Sequence, residues 1–506
     1  MMSVMTPLRL DEQRCYDALV SRDRRFDGWF IAGITSTGIY CRASCPAPVR
    51  PKRSNVRFYP TAAAAQLDGF RSCKRCRPDA SPGSPEWDRR ADLIGRAMRL
   101  IAQGEIDRMG VGGVAERLHI SERHLHRILT QAVGAGPLAL ARAQRANLAR
   151  ILIETTQIAV TDVAFAAGFS SVRQFNDTIR AVYDRTPTQL RAAAPKPTKE
   201  AAPEAETSRS ELVRLGLRLP ARAPIETDAL FDFFAGHGVP GVTNGDTSSH
   251  RRALQLPGGR SEIEVSTAED YVGVWARFGL RDIGDLSDAI GRTRRAFDLD
   301  ADPEMIDERL KAEPKIARLR KLRPGIRVPG AFDGFEAAVS AIVGQQISVA
   351  GARTLLGRLV EAFADLPKAS NHKMPSASFP TATQLSDASL DGLGLTTRRV
   401  ATIQALANAV LAGDLCLDPG ADRAATREQL LALPGIGPWT ADVIAMRALG
   451  DPDVMLGGDL VIKRRLEELG IVDTSHLSPW RSYVACTLWA TRQPNSEKTQ
   501  TKGAVK

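Results

Sequence analysis

The sequence predicts a multidomain protein that is mainly α-helical with small α+β parts. Three observations predict this class. At about 150 residues per domain, a chain of 506 residues is expected to hold about three domains. Apolar residues recur at helical spacing over two long regions, and between them lies a segment in which apolar and other residues alternate. Four of the seven cysteines fall within 36 residues near the start of the chain, which indicates a small separate unit.

Composition and charge narrow the class of protein. Hydrophobic residues make up 43% and charged residues 25%, which excludes a collagen, a coiled-coil rod and wholesale disorder. No apolar run reaches the roughly 18 residues of a membrane helix, and residues 1–20 lack the apolar core of a secretory signal. We therefore expect a cytoplasmic protein without a membrane partner.

Residues 1–200 hold 31 Lys and Arg against 19 Asp and Glu, whereas the rest hold 37 against 39. This asymmetry favours a polyanion partner for the first part, and a solvated basic surface is the alternative.

The cysteine cluster has the spacing of a zinc site. Cys41 and Cys45 are separated by three residues, Cys73 and Cys76 by two, and 27 residues join the pairs. Each pair supplies two neighbouring thiolates, and the loop folds back to complete a tetrahedral Zn²⁺ site. Seven cysteines in a long chain without a signal peptide argue against a disulfide framework. The spacing alone does not separate a structural zinc site from a reactive one.

The residues around the cysteines, in segments 37–46, 58–60 and 69–79, resemble the N-terminal module of the Ada proteins, which are bacterial alkylation-repair sensors. The resemblance implies that Cys41 accepts a methyl group from an Sp-methylphosphotriester in DNA. It also implies one Zn²⁺, bound by Cys41, Cys45, Cys73 and Cys76. Methylation removes one negative charge from such a site, so the site would repel DNA phosphates less after the transfer. We expect the phosphate contacts to come from Arg42, Arg71, Lys74, Arg75 and Arg77.

Residues 87–191 predict two helix-turn-helix units. In segment 111–129, Ser121 is a good N-cap for a second helix; in segment 160–180, Gly168 lies at the turn and Ser170 or Ser171 is the cap. We expect the second helices to present Arg123, His124, Arg127, Arg173, Gln174 and Asn176. With the closing segment 183–190, the pattern resembles the AraC-type DNA-binding domain, which implies contacts in successive major grooves. A plain helical bundle is the alternative.

The resemblance to Ada proteins is incomplete. Full Ada proteins carry a second methyltransferase domain with a Pro-Cys-His-Arg active site, and that tetrapeptide is absent from the sequence. We therefore do not expect direct repair of O6-methylguanine.

The second half begins with four alternating segments, 212–219, 252–256, 262–265 and 271–278, which predict strands of an antiparallel sheet. Helical periodicity returns at about residue 282 and continues to about residue 491. Within it, residues 433–437 read Leu-Pro-Gly-Ile-Gly, as in a helix-hairpin-helix turn. Gly435 and Gly437 would let a DNA backbone approach closely, and N–H groups at the next helix start can hold a phosphate. A loop between core helices is the alternative.

The second half resembles the AlkA-type DNA-3-methyladenine glycosylases in the order and spacing of segments 325–330, 341–349, 433–442, 456–463 and 479–483. The resemblance implies that Asp459 is the catalytic carboxylate and that Trp439 and Trp489 form the pocket for a flipped base. Gln346 falls at the wedge position. Val443 stands where one known pattern has an aromatic residue, so the substrate range stays open. Electron-rich rings bind a cationic alkylated purine, and a carboxylate stabilises positive charge that develops on the sugar.

A related class, the endonuclease III-like lyases, uses a hairpin lysine as nucleophile and four cysteines for an iron–sulfur cluster. Trp439 occupies the lysine position, and this half contains only Cys416 and Cys486. We therefore expect a monofunctional glycosylase without an iron–sulfur cluster or lyase activity.

These patterns divide the chain into a zinc methyl-acceptor domain at 1–80, an AraC-type domain at 87–191, a linker at 192–208, an AlkA-like N-terminal α+β subdomain at 209–290, a helix-hairpin-helix glycosylase domain at 291–491 and a disordered tail at 492–506. The leading interpretation is a bacterial, nucleoid-associated transcription activator that senses methylated DNA, contacts RNA polymerase and is fused to a 3-methyladenine-type glycosylase. One alternative is a DNA-binding regulator whose glycosylase-like module is inactive, because Gly457 and Gly458 would loosen the backbone before Asp459. A zinc protein without methyl transfer is another.

Overall fold

The computed structural model describes residues 11–78, 93–156, 158–194, 212–268, 271–363, 374–375, 377–418 and 420–491. The expected tail at 492–506 and most of the expected linker at 192–208 lie outside these residues. The described part is mainly helical with two small sheets, so the predicted fold class is confirmed. Across these ranges, no helix combines the length and the apolar character that a bilayer crossing demands.

The first region is a four-stranded sheet with two helices. Its elements are α1 Glu12–Ser21, β1 Ile31–Ile34, β2 Ile39–Cys41, β3 Val56–Tyr59, α2 Ala62–Leu67 and β4 Arg71–Ser72. The strand order is β3-β1-β2-β4, in which β2 and β4 are parallel. Parallel neighbours end at the same edge of a sheet. The cysteine pairs therefore meet, because Cys41 ends β2 and Cys73 directly follows β4.

The next region is a bundle of helices. They are α3 Leu93–Ala102, α4 Glu105–Arg117, α5 Glu122–Val133, α6 Pro137–Thr155, α7 Val160–Ala166, α8 Val172–Tyr183 and α9 Pro187–Ala192. Ser121 caps α5 by accepting a bond of 3.2 Å from the His124 N–H, as predicted. Of the two serines proposed for α8, Ser171 is the cap, and it accepts a bond of 3.2 Å from the Gln174 N–H. Gly168, at φ 84°, makes the left-handed turn between α7 and α8.

A five-stranded antiparallel sheet follows. Its region contains β5 Val213–Pro220, α10 Thr227–His237, β6 Thr243–Gly245, β7 Ser249–Leu256, β8 Gly259–Thr267 and β9 Gly273–Leu280, with strand order β5-β9-β8-β7-β6. The four alternating segments correspond to β5, β7, β8 and β9, so this prediction is confirmed. The short edge strand β6 and the helix α10 were not predicted.

The rest of the described chain is helical. The helices are α11 Leu286–Ala296, α12 Pro303–Leu310, α13 Pro314–Leu322, α14 Gly334–Val343, α15 Val349–Phe363, α16 Ala382–Leu385, α17 Thr397–Leu411, α18 Arg423–Ala432, α19 Pro438–Arg447, α20 Leu460–Leu469 and α21 Arg481–Ala490. Two apolar cores hold most of them, one around α14, α17 and α19 and the other around α13 and α21. Helix α11 instead packs into the buried cluster of the five-stranded sheet through Leu286 and Ala289. The turn between α18 and α19 is the hairpin of residues 433–437.

The second helix-turn-helix unit and the five-stranded sheet share one hydrophobic core. Phe175 and Ile179 of α8 belong to the same buried cluster as Leu217 of β5 and Phe278 of β9. Burial of such large side chains is the main favourable contribution to packing. The helix-turn-helix region is therefore packed directly against the second half of the chain.

Candidate metal centre and candidate active site

The four cysteines lie at one end of the small sheet and are all buried. The Cys45 N–H donates to the Arg42 carbonyl at 3.2 Å, which closes the turn after β2. The Cys73 N–H donates to the Tyr40 carbonyl at 3.0 Å, which fixes the second pair against β2. The four Sγ atoms all lie within 4.8 Å of one another.

This geometry fits one Zn²⁺. Four sulfurs arranged tetrahedrally at about 2.3 Å from zinc stand roughly 3.8 Å apart. Without a metal ion, the four cysteine side chains share protons through hydrogen bonds. Hydrogen bonding with Cys45 raises the pKa of Cys41, and hydrogen bonding with Cys41 lowers the pKa of Cys73. Four buried thiolates repel one another unless a cation compensates them. The donor set therefore requires a divalent ion that binds thiolates, and the cysteines form a site for one zinc.

The basic side chains around the cysteines are partly engaged within the chain. Arg42 pairs with Asp27 at 3.4 Å. Arg71 and Lys74 pair with one carboxylate oxygen of Asp184, at 2.6 Å and 3.1 Å respectively. Asp184 is the C-cap of helix α8. These two cations lower the pKa of its carboxyl group, and Lys74 has the larger effect. Two of the expected phosphate-binding cations thus contact the helix-turn-helix region.

The remaining two cations of this group, Arg77 and Arg75, differ from each other in whether they are paired. Arg77 pairs with Glu154 of α6 at 3.1 Å. Arg75 is exposed between the ligands Cys73 and Cys76, and no described residue pairs with it. Arg75 is therefore an exposed cation next to the cysteine cluster.

The two capped helices α5 and α8 carry the side chains predicted for DNA binding. Arg123, Arg127, Arg173 and Gln174 are exposed, and His124 and Asn176 are half-buried. The opposite faces are apolar and buried, with Leu125 and Ile128 in α5 and Phe175 and Ile179 in α8. An amphipathic helix of this kind buries its apolar face and keeps its polar face on the surface.

The hairpin of residues 433–437 is packed so tightly that only glycine fits at its centre. Gly435 has φ 87°, and a Cβ there would lie 2.0 Å from Oγ1 of Thr402 in α17. The Thr402 hydroxyl donates to the Pro434 carbonyl at 2.9 Å. Gly437 is the N-cap of α19 and has open space around it. The hairpin therefore leaves the backbone at the start of α19 accessible.

Asp459 begins helix α20 and contacts an indole. Its Oδ1 atom accepts from the Val461 and Ile462 N–H groups at 2.9 Å and 3.0 Å. Trp489 of α21 donates its Nε1–H to the same oxygen at 3.4 Å. Among the described residues, no group donates to Oδ2 of Asp459. Three donors thus hold Oδ1 of Asp459. Because the side chain is only half-buried, Oδ2 is accessible.

The structure brings the second predicted indole to the same place. A Cβ on Gly458 would lie 3.4 Å from Cβ of Trp439, so the backbone directly before Asp459 runs against Trp439. The glycine pair 457–458 is also held by turns, because the Gly457 N–H donates to Met455 at 2.8 Å and the Asp459 N–H to Leu456 at 2.9 Å. Trp489 therefore contacts the Asp459 carboxylate directly, and Trp439 lies against the residue that precedes Asp459.

Gln346 lies at the tip of the turn between α14 and α15. It is exposed and has φ 56°, an uncommon left-handed conformation for a residue with a side chain. The preceding residue, Gln345, anchors this turn to the hairpin: its Nε2 donates to the Gly435 carbonyl at 3.0 Å and to Oγ1 of Thr440 at 2.9 Å. Arg399 of α17 donates to the Gln345 carbonyl. No sequence pattern pointed to Arg399 or Thr402, and the Gln-Gln pair 345–346 was a signal for Gln345 alone.

Comparisons with known families match the chain in four consecutive parts. The metal binding domain of Ada matches residues 14–79 and a helix-turn-helix domain residues 114–193. The AlkA N-terminal domain matches residues 216–333, and the HhH-GPD superfamily of base excision DNA repair proteins matches residues 339–481. The fold and the two sites define a class of protein: a metal-binding, helix-turn-helix regulator joined to a base excision repair module.

Relatives make the assignment specific. The chain is 48% identical over 490 residues to a probable bifunctional transcriptional activator/DNA repair enzyme AlkA of Mycobacterium tuberculosis, which covers 95% of this chain and 96% of the relative. It is 30% identical to DNA-3-methyladenine glycosylase 2 of Escherichia coli over 53% of this chain and 94% of the relative. It is 33% identical to the bifunctional activator Ada of Escherichia coli over 33% of this chain and 47% of the relative. The chain belongs to the family of bifunctional transcriptional activator/DNA repair enzymes of the AlkA type.

Proposed function

We propose that this protein responds to alkylation damage through both halves of the chain. The first half accepts a methyl group from a methylphosphotriester in DNA and activates transcription. The second half excises alkylated purines by hydrolysis. The observation that carries the proposal is the presence, in one chain, of a buried four-cysteine site and of a carboxylate that contacts the indole of Trp489 and directly follows a glycine packed against Trp439.

For methyl transfer we assign Cys41 as the acceptor. Bound zinc keeps the ligand sulfurs deprotonated near neutral pH. Sγ of Cys41 attacks the methyl carbon, an S–C bond forms, the C–O bond of the triester breaks and a phosphodiester anion leaves. The exposed Arg75 is suited to contact the phosphate. The reaction occurs once per molecule because the thioether product has no route back to a thiol.

For DNA recognition we assign Arg123 and Arg127 of α5 and Arg173 and Gln174 of α8 to two successive major grooves, about one helical turn apart. After the transfer the cysteine site carries one negative charge less, so its repulsion from the DNA backbone decreases. Activation of transcription requires a contact with RNA polymerase and, in a bacterial cell, residence on the nucleoid. Both belong to this proposal.

For base excision we assign Asp459 as the catalytic carboxylate. Gln346 enters the duplex as the wedge, and the N–H groups that begin α19, near Gly435 and Gly437, hold a backbone phosphate. Trp439 and Trp489 bind the flipped, cationic purine. The N-glycosidic bond breaks with its electron pair going to the purine, which leaves neutral. Oδ2 of Asp459 faces the positive charge on the sugar, water adds at C1′ and its proton is lost to solvent.

One assay tests both activities. The full chain is incubated separately with duplexes that carry methylphosphotriesters, 3-methyladenine or 7-methylguanine. Mass spectrometry measures methylation of Cys41, and chromatography measures free base. We expect Cys41 methylation with the first duplex and free base with at least one of the others. Methylation without base release would support the alternative of a regulator with an inactive glycosylase-like module. Absence of methyl on Cys41 would refute the acceptor assignment.

A further inference from the structure

The turn between Cys41 and Cys45 is bonded to a buried carboxylate, Asp27. Its Oδ1 accepts from the Ser44 N–H at 2.9 Å, and its Oδ2 accepts from the Ser44 hydroxyl at 2.6 Å. Oδ2 also pairs with Arg42 at 3.4 Å. Two of the three residues between the cysteines thus depend on the position of Asp27.

Asp27 is in turn held by the second half of the chain. Its backbone carbonyl accepts from NH2 of Arg222 at 2.8 Å. Arg222 is buried, follows strand β5, and donates from NH1 to the Asp300 carbonyl at 2.8 Å. Arg327 donates to the Arg222 carbonyl at 2.6 Å, so Arg222 is itself fixed at both ends.

A second bond joins the same two parts of the protein. The Nε1–H of Trp29 donates to Oδ2 of Asp302 at 3.0 Å. Oδ1 of Asp302 accepts from the Met305 N–H at 3.0 Å and so caps α12. Residues 27–29 are therefore attached to the AlkA-like part of the chain by two polar contacts on either side of Gly28.

We propose that Arg222 is a positioning residue for methyl transfer to Cys41: it fixes Asp27, and through Asp27 the turn that carries the acceptor sulfur. The proposal rests on the methyl transfer proposed above. Displacement at a methyl carbon needs the sulfur in line with the breaking C–O bond, and small misplacements lower the rate. Arg222 and Asp27 do not touch the substrate. The AlkA-like half thus supports the reaction of the zinc domain.

Variants of the full chain test this role. Arg222→Met keeps much of the side-chain length but removes the guanidinium. Arg222→Lys retains the charge on one donor nitrogen. Arg218→Met is the matched control. Arg218 lies on β5, is exposed, and its guanidinium is 5.0 Å from the Trp275 ring centre, away from the zinc domain. The measurements are the rate of Cys41 methylation, zinc loss to a chelator, hydrogen exchange of residues 41–45 and base release from alkylated duplex.

We expect methylation to be about tenfold slower in Arg222→Met, as for the loss of a hydrogen bond to a charged group. In Arg222→Met, hydrogen exchange of residues 41–45 and zinc loss should be faster than in the parent protein. Arg222→Lys should recover part of the methylation rate. Base release by Arg222→Met should stay within about twofold of the parent, which is small against the loss of methylation rate. Arg218→Met should behave as the parent protein. Unchanged methylation and unchanged exchange in Arg222→Met would overturn the proposal.

Other outcomes are equally decisive. Methylation and base release that fall together would mean that Arg222 supports only the overall fold. If Arg222→Met fails to fold, Arg222→Lys takes its place, because one nitrogen cannot bond the Asp27 and Asp300 carbonyls as the two guanidinium nitrogens do. An unaltered methylation rate and unaltered exchange in Arg222→Lys would then overturn the proposal. If the parent protein accepts no methyl group, the proposed transfer fails. In that case exchange of residues 41–45 and zinc loss still decide whether Arg222 holds the turn.

Discussion

The indole Nε1 of Trp489 lies 3.4 Å from Oδ1 of Asp459, the oxygen that also caps helix α20. The cap and the indole hold the same atom, so the carboxylate has a fixed orientation, and no described residue donates to its other oxygen. An aspartate at a helix start is ordinarily a structural feature. Here the structural and the proposed catalytic roles use different oxygens of one side chain.

Asp459→Asn should abolish most base release and leave DNA binding close to that of the parent protein. The amide oxygen can still cap α20, but the negative charge that stabilises the sugar cation is lost, which costs on the order of 100-fold in rate. Single-turnover release of 3-methyladenine and a binding titration measure the two properties.

The matched control for this variant is Asp422→Asn. Asp422 caps α18 through bonds of 3.2 Å from the Ala424 and Ala425 N–H groups, and its capping role is the same. Base release by Asp422→Asn should stay within about twofold of the parent, since caps act on stability. An equal loss in both variants would assign the effect to helix capping and remove Asp459 from the mechanism.

Gly435→Ala should destabilise the helix-hairpin-helix, whereas Gly437→Ala should not. At Gly435 the backbone is left-handed and a methyl group would lie 2.0 Å from Oγ1 of Thr402. We expect a loss of about 2 kcal/mol or more in the free energy of unfolding for Gly435→Ala. Gly437 has φ −95° and open space around it. Urea denaturation of the two variants is the test, and equal stabilities would contradict the close packing of Gly435 against Thr402.

The sequence predicted what depends on local patterns. The cap of α5 by Ser121, the four long strands of the sheet, and the hairpin at residues 433–437 follow from turn chemistry and periodicity, and all are present. The spacing of the cysteines predicted their cluster. Asp459, Trp439 and Trp489 came from resemblance to a family, and the structure places them together.

The contacts that the sequence could not predict join distant residues. Gln345 and Gly435 are 90 positions apart, and Arg222 and Asp27 are 195 apart. No periodicity encodes such pairs, because they arise only when separately formed elements pack. For the same reason a basic residue such as Lys74 could be predicted to bind phosphate, whereas its ion pair with Asp184 appears only in the structure.

Cys45→Ala should lower the zinc content from one ion per chain towards zero, and Cys15→Ala should leave it unchanged. Both cysteines are buried, but only Cys45 belongs to the cluster of four. Three cysteines bind zinc more weakly, and part of the folding free energy of a small zinc domain comes from the metal. Zinc analysis after dialysis against a chelator measures the difference. Full zinc content in Cys45→Ala would exclude this cysteine as a ligand.

His250→Phe should remove part of the acid sensitivity of the fold. His250 is buried against Phe332 and Phe234, and burial, with a smaller contribution from Arg252, lowers its pKa to about 3. The unfolded chain takes up a proton below about pH 6.5 and the folded chain does not, so this group destabilises the fold as the pH falls from about 6.5 towards about 3. By pH 5 the free energy of unfolding is lower by about 2 kcal/mol because of this group. Unfolding curves at pH 8 and pH 5 should therefore differ less for His250→Phe than for the parent or for His126→Gln, which changes an exposed histidine. An equal pH dependence in all three proteins would show that His250 does not remain neutral in the folded state.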